Sequence, residues 1–79
     1  MNNLQKHLID LNTSVRQALI RLDELGEDAI LFMVNEHQEL MGSLTDGDLR
    51  RGFIQGLGFD DRIADFLQKN PKYILEKII

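Results

Sequence analysis

The chain has 79 residues, of which 43% are hydrophobic and 28% charged, and its formal net charge is -4. This composition is typical of one small globular domain, or of a piece of a larger protein, and it is too apolar for a disordered chain. The negative charge argues against binding nucleic acid through its phosphates, and the longest apolar run, residues 29–34, is too short for a membrane span.

The beginning of the chain predicts a short first element. The stretch MNNLQKHLIDLN lacks the basic and apolar regions of a signal peptide, and the chain contains no cysteine for a disulfide framework. Within this stretch, HLIDL is apolar enough for a short strand or an extended lead-in. A cytoplasmic location without membrane attachment is therefore expected.

The sequence LNTSVRQALIRLDELGED predicts the first helix, because its apolar residues recur at helical spacing and form one stripe. Thr13 is the predicted N-cap, since its hydroxyl can accept a hydrogen bond from a backbone N–H one turn later. Gly26 is the predicted stop, because glycine readily adopts the left-handed conformation that ends many helices.

Two strands are predicted next. AILFMV is a run of six apolar residues between polar segments, which suits a strand covered on both faces. LMGSL follows as a second short strand, so residues 35–39 are expected to form the turn of a hairpin.

TDGDLRRGFIQGLG predicts the second helix, and DDRIADFLQKNP predicts a third, shorter one. Thr45 or Asp46 is the expected cap of the second helix. Gly52 and Gly56 weaken that helix, which indicates either close packing against another backbone or an early end. The third helix is expected to stop before Pro71, and the following KYILEKII is apolar enough for a strand.

The predicted fold class is α/β of the α+β type, in the order βαββα. Two to three short strands are expected to pack with two main helices and a short C-terminal helix. Two adjacent strands with helices before and after them can cover only one face of the sheet well. The remaining apolar face therefore needs a partner, either a second copy of the chain or further sequence.

The polar cluster TDGDLRR does not match a metal site or a catalytic centre. An EF-hand loop that started at Asp46 would need glycine and glutamate where Arg51 and Leu57 stand. His7 and His37 are alone in their segments and are expected to be surface histidines rather than metal ligands. The sequence has no convincing grouping of serine, histidine and acid and no phosphate loop with lysine. The chain is therefore not expected to be an enzyme.

Recognition of a ribonucleotide fits the cluster better. The carboxylate of Asp48, in the first helical turn, can accept hydrogen bonds from both hydroxyls of a ribose. The hydroxyl of Thr45 and the free backbone N–H groups at the helix start can bind a phosphate oxygen, and Arg50 or Arg51 can neutralise its charge. The alternative is structural: Thr45 and Asp46 cap the helix, and both arginines face water.

The same residues resemble a known family. GSLTDGDL, residues 42–49, resembles the signature that closes the second strand and opens the second helix of cystathionine-β-synthase-type (CBS) domains. NTSVRQAL resembles the beginning of that family's first helix. TDGDLRRG is especially similar to the CBS modules found beside sugar-phosphate nucleotidyltransferases. The resemblance covers about residues 8–57.

The resemblance implies a division of the chain and a ligand site. Residues 1–57 correspond to a first CBS motif, and residues 58–79 to a linker helix and the start of a truncated second repeat. Paired repeats form a Bateman module with nucleotide clefts between them, so this half-module is expected to form a homodimer through its sheet/helix face. The implied ligand is AMP, ATP or another adenosyl compound, and no cofactor is required. The ligand-binding residues that the resemblance implies are Ile9, Asp10, Leu11, Ile30, Leu31, Phe32, Thr45 and Asp48. Arg50 and Arg51 join them through the phosphate chemistry described above.

The resemblance leads to one expected function and one alternative. The expected function is a regulatory module that senses an adenosyl-type nucleotide and controls an attached catalytic domain, such as a sugar-phosphate nucleotidyltransferase. The alternative is an assembly module that dimerises and binds no ligand.

Overall fold

The computed structural model describes residues 3–69, which form a three-stranded sheet and three α-helices. The predicted α+β class and the βαββα order are confirmed. The chain begins with a 3-10 helix (Asn3–His7), strand β1 (Leu8–Ile9) and helix α1 (Val15–Leu25). Strands β2 (Ile30–Val34) and β3 (Leu40–Thr45) follow, and then helices α2 (Asp46–Ile54) and α3 (Ile63–Lys69).

Helix α1 is capped by Ser14 and not by Thr13. The Oγ atom of Ser14 accepts a hydrogen bond from the N–H of Gln17 (3.1 Å), and the Oε1 atom of Gln17 accepts the N–H of Ser14 (3.0 Å). The Thr13 hydroxyl closes the preceding turn by bonding to Asp10. The prediction of Thr13 was wrong because the reciprocal bond needs a side-chain acceptor three residues after the cap. Ser14 has such an acceptor, because Gln17 lies three residues after it. The residue three positions after Thr13 is Arg16, whose side chain is a donor only.

Replacing Ser14 with alanine is expected to lower the free energy of unfolding by about 1 kcal/mol, because the N–H of Gln17 loses its acceptor. Replacing Thr13 with alanine removes hydrogen bonds only in the exposed turn before the helix. That variant is expected to lose less stability. Urea denaturation of both variants measures the difference, and a larger loss for the Thr13 variant would contradict the assignment of the cap.

The predicted end of α1 is confirmed, and α2 ends early, which was one of the two alternatives for Gly52 and Gly56. Gly26 follows α1 with a φ of 96°, and its N–H donates to the carbonyl of Leu22 (3.1 Å). Helix α2 ends at Ile54, shortly before Gly56, whose φ is 105°. The predicted stop before Pro71 and the predicted strand KYILEKII lie outside the described residues. None of the helices in the described range is long and apolar enough to cross a membrane.

The sheet has the strand order β1-β2-β3, with β1 parallel to β2 and β2 antiparallel to β3. Leu8 of β1 pairs with Phe32 of β2, and Ile30 at the start of β2 pairs with Thr45 at the end of β3. The hairpin turn spans residues 35–39, as predicted. This register places the start of β2 directly beside the start of α2.

One face of the sheet packs against the helices and forms the hydrophobic core. Helix α3 contributes to this core, so residues after position 57 pack onto the same unit as the residues before it. The buried apolar residues are Ile9, Val15, Ala18, Leu22, Leu31, Met33, Leu44, Leu49, Ile63, Phe66 and Leu67.

The opposite face, here called the open face, carries Leu8, Ile30, Phe32 and Val34, with Ser43 beside Phe32 on β3. These side chains keep part of their surface exposed, and Ile30 is 38% exposed. The prediction that β2 is covered on both faces is wrong for the single chain, because the helices lie on one side only. The prediction that only one face of the sheet is well covered within the chain is confirmed.

Residues 59–63 bind to the start of α1. The N–H of Val15 donates to the carbonyl of Asp61 (2.8 Å), and the N–H of the next residue donates to the carbonyl of Phe59 (2.9 Å). In return, the N–H of Ile63 donates to the carbonyl of Thr13 (2.9 Å). Main-chain carbonyls therefore satisfy donors that a helix start leaves without an intrahelical partner.

Candidate functional site

The turn from β3 into α2 brings Thr45 and Asp48 together. Thr45 has an extended backbone, with φ of -121° and ψ of 171°, and its hydroxyl accepts a hydrogen bond from the N–H of Asp48 (3.2 Å). In return, the Oδ2 atom of Asp48 accepts the N–H of Thr45 (2.9 Å). A threonine followed three residues later by an acidic side chain can form this reciprocal capping box. Thr45 is therefore confirmed as the cap of α2.

Asp48 is the one buried polar or charged residue that the structure describes, with 9% of its surface exposed. Its Oδ1 atom accepts a hydrogen bond from Nη2 of Arg51 (2.7 Å), whose side chain is 59% exposed. Both carboxylate oxygens thus have an internal partner, which compensates the burial of the charge. Each oxygen still has a lone pair that can accept a further hydrogen bond, since a carboxylate offers about four such positions.

Arg50 and Asp46 form a second ion pair, one turn apart on the solvent side of α2. Their side chains are 72% and 59% exposed, and pairs as exposed as this one contribute little to stability. Each acidic residue of the first turn is therefore paired with its own arginine, and only the pair formed by Asp48 and Arg51 is partly buried.

The start of β2 contributes two of its three expected ligand-binding side chains to this corner of the molecule. Ile30 pairs with Thr45, and Phe32 lies on the same open face two residues further along β2. Leu31 has no exposed surface, because it points into the core. The expectation for Leu31 is corrected as far as its side chain is concerned: successive side chains of a strand alternate between faces, so the three side chains cannot line one pocket together.

Ile9, Asp10 and Leu11 lie at the other end of the sheet. Ile9 pairs with Met33, which is three residues, about 10 Å, beyond Ile30 along β2. Ile9 is buried in the core and Leu11 packs against it, whereas Asp10 is exposed and belongs to the turn before α1. The fold therefore separates these three residues from the start of α2.

Two open clefts reflect this separation. The first, of about 850 Å³, lies between the end of α1 and the start of α2 and is lined in part by Ile30 and Thr45. The second, of about 660 Å³, is lined in part by Ile9 and Asp10. The structure thus brings Ile30, Thr45 and Asp48 into one region and places the residues of β1 in another.

The first cleft has an acidic lining that the sequence reasoning missed. Asp23, Glu27, Asp28 and Asp46 line it, and no basic side chain of the described residues does. The run DELGED at the end of α1 was the available signal, but only the β2–β3 register reveals that this run faces the start of α2. Four carboxylates disfavour a phosphate group in this cleft by charge repulsion.

Among residues 3–69, no group of three or more His, Asp or Glu side chains is placed to hold a metal ion. His37 is exposed and lies beside Glu36, as expected of a surface histidine. His7 is half-buried, and its Nδ1 atom donates to the carbonyl of Ile30 (2.8 Å). His7 thus stays partly exposed, and its side chain in addition binds the backbone of β2.

No protein-family model matches the chain. Uncharacterized proteins from two strains of Helicobacter pylori are 43% identical to it over 67 residues, which is 82% of this chain. The chain spans only 20% of the length of these curated relatives. The crystal structure of an uncharacterized conserved protein from Pyrococcus horikoshii is similar with a TM-score of 0.64 and 23% identity, over 91% of this chain and 49% of that chain. This likeness concerns the fold alone.

Proposed function

We propose that the chain is a CBS-type regulatory module that binds an adenosyl-type nucleotide beside Thr45 and Asp48 and controls an attached catalytic domain. The observation that supports this proposal best is the buried carboxylate of Asp48, held at the start of α2 next to the open face. A carboxylate fixed in this way can accept hydrogen bonds from both hydroxyls of a ribose. The resemblance of residues 42–49 to the CBS signature points to the same role.

The proposed ligand lies across the corner formed by β2 and α2. The base packs against the exposed parts of Ile30 and Phe32, which share the open face with Thr45. The ribose binds Asp48, and the phosphate lies near Gly47 in the first turn of α2, where the helix dipole and the Arg51 guanidinium offset the acidic lining of the first cleft.

The proposed partner is a second copy of this fold that packs against the open face. Apolar side chains on that face lose contact with water when they are covered, which favours association. The chain matches about half of the similar solved chain and a fifth of its curated relatives. These proportions are compatible with a longer cytoplasmic protein that holds both a second repeat and a catalytic domain. The type proposed for that domain, a nucleotidyltransferase acting on sugar 1-phosphates, rests on TDGDLRRG alone.

The proposed regulation follows from differential binding. A nucleotide held between paired repeats stabilises the packing that it fits better, and it shifts the equilibrium by its difference in affinity for the two packings. The attached domain responds to this shift, while the present chain carries no catalysis of its own.

Calorimetric titration of the dimeric protein with AMP, ATP, S-adenosylmethionine and CMP tests the proposal. At least one of the adenosyl ligands is expected to bind. The substitution Asp48→Asn keeps the size of the side chain and an acceptor for the N–H of Thr45 but removes the charge. It is expected to weaken binding at least about tenfold, because hydrogen bonds to a charged acceptor are roughly twice as strong as neutral ones. Its oligomeric state is expected to stay that of the wild type.

The second candidate is an assembly module without a ligand. It is favoured by the internal partners of both Asp48 oxygens, since a carboxylate engaged in this way needs no nucleotide to explain its burial. In that case none of the four ligands binds to the dimer, and Asp48→Asn changes only stability. That result would reject the sensing function.

A further inference from the structure

Two neighbouring arginines on α2 have unequal surroundings. Arg50 pairs with the exposed Asp46, whereas Arg51 pairs with the buried Asp48. The guanidinium of Arg51 also reaches back over the first turn of the helix. A Cβ atom added at Gly47 would lie 3.6 and 3.7 Å from its two terminal nitrogens. Arg51 thus lies where the ribose and the phosphate of the proposed ligand meet.

A ribose that binds Asp48 competes with this ion pair. The carboxylate side chain is only 13% exposed, and Arg51 already takes the Oδ1 atom at 2.7 Å. Each oxygen keeps a further acceptor position, but so little of the carboxylate is exposed that a diol reaches both oxygens only by moving the guanidinium aside at least partly. An uncharged nucleoside offers the displaced guanidinium no new anionic partner.

A phosphorylated ligand does offer such a partner. Arginine binds phosphate through two parallel hydrogen bonds, so a phosphate near the first turn of α2 can replace Asp48 as the partner of Arg51. The acidic lining of the neighbouring cleft, which includes Asp23, Glu27 and Asp28, makes this positive charge more necessary. The exposed pair of Arg50 and Asp46 leaves Arg50 with a different partner.

We infer that Arg51 determines the specificity of the site, because it releases Asp48 to the ribose in exchange for the ligand's phosphate and thereby selects nucleotides over nucleosides. This inference rests on the proposed function and adds the chemical class of the ligand. A nucleoside breaks the ion pair of Arg51 with Asp48 and supplies no anion in exchange, whereas a nucleotide supplies its phosphate.

Calorimetric titration with AMP and with adenosine tests the inference on the wild type, Arg51→Gln and Arg62→Gln. The wild type is expected to bind AMP at least about ten times more tightly than adenosine, and Arg51→Gln is expected to remove most of this preference. Arg51→Gln is expected to bind adenosine more tightly than the wild type does, which accounts for part of the lost preference. A partly unfolded variant would bind both ligands more weakly, so unfolding cannot produce this result. Arg62→Gln is the control, since it removes the same charge from an exposed ion pair outside the site, that of Arg62 with Asp65, and it is expected to keep the preference of the wild type.

The outcomes separate the inference from the proposed function. If AMP and adenosine bind and Arg51→Gln leaves their ratio unchanged, the inference is overturned while nucleotide sensing stands. If neither ligand binds to any of the three proteins, both fail. Arg51→Lys, with circular dichroism and thermal unfolding as folding controls, provides a second variant that keeps the charge but lacks the planar fork. Arg51→Lys is expected to prefer AMP over adenosine less strongly than the wild type does and more strongly than Arg51→Gln does. If a folded Arg51→Lys keeps the wild-type ratio of the two affinities, the exchange of paired hydrogen bonds is contradicted.

Discussion

Replacing Phe32 with lysine is expected to dissociate the proposed dimer, raising its dissociation constant at least about 100-fold, or about 2.7 kcal/mol. Phe32 lies on the middle strand of the open face, between Leu8 and Ser43 on the two neighbouring strands. In a symmetric dimer each copy contributes this ring, so the interface loses two apolar side chains of about 2 kcal/mol each. It also gains two charges that lack partners. Sedimentation equilibrium of the wild type and the variant measures the change.

The substitution Ile54→Lys is the matched control for this experiment. Ile54 is 81% exposed at the end of α2, so the chemical change is the same but the position lies outside the sheet. Its effect on the dissociation constant is expected to stay within about twofold, as for most surface substitutions. Dissociation by Ile54→Lys together with an intact dimer of Phe32→Lys would show that the copies meet through helices and not through the open face.

Replacing Gly52 with valine is expected to lower the free energy of unfolding by about 2–3 kcal/mol. A Cβ atom at this position would lie 2.8 Å from Cδ2 of Leu57 and 2.9 Å from Cε1 of Phe66. The ring of Phe66 is buried in the core, so it can move away only if α3 moves with it. A domain of this size has a total stability of only about 4–12 kcal/mol, and the loss is therefore a large fraction of it. Thermal and urea unfolding measure this effect.

Gly47→Ala is the control for the packing at Gly52, because Gly47 lies in the same helix but has space around it. A Cβ atom there would meet only the side chains of Arg51 and Thr45, at 3.6 Å or more. Alanine restricts the unfolded chain more than glycine does, so this variant is expected to gain about 0.5–1 kcal/mol. Similar losses for both variants would mean that crowding by Leu57 and Phe66 does not explain the glycine at position 52.

The order and type of the elements could be predicted because local signals agree with the fold. Thr45 and Gly26 mark helix ends through their own backbone and side-chain chemistry, and hydrophobic spacing separates α1 from β2. The cap of α1 was mispredicted because Thr13 and Ser14 are adjacent hydroxyl residues, and only the acceptor at Gln17 distinguishes them. The close packing at Gly52 was expected against another backbone. The structure shows side chains of Leu57 and Phe66 there, which no local pattern could indicate.

The candidate site could be predicted in part, for a similar reason. The cluster of Thr45, Asp48 and the arginines is contiguous in sequence, so helical spacing alone places them near each other. The separation of Ile9 from this cluster depends on the parallel register of β1 with β2, which two short strands do not reveal. The acidic cleft likewise depends on the pairing of Ile30 with Thr45. The sequence also does not show which of the two adjacent arginines pairs with Asp48, and the structure shows that it is Arg51.

The hydrogen bonds between residues 59–63 and the start of α1 limit how much of this chain can be transferred to another protein by gene fusion. A gene fusion that transferred only residues 1–57 would carry away a helix start whose Val15 N–H has lost the carbonyl of Asp61. It would also leave behind Ile63, Phe66 and Leu67, which fill the same core as the strands. A unit that keeps this core therefore has to include α3 and is longer than residues 1–57.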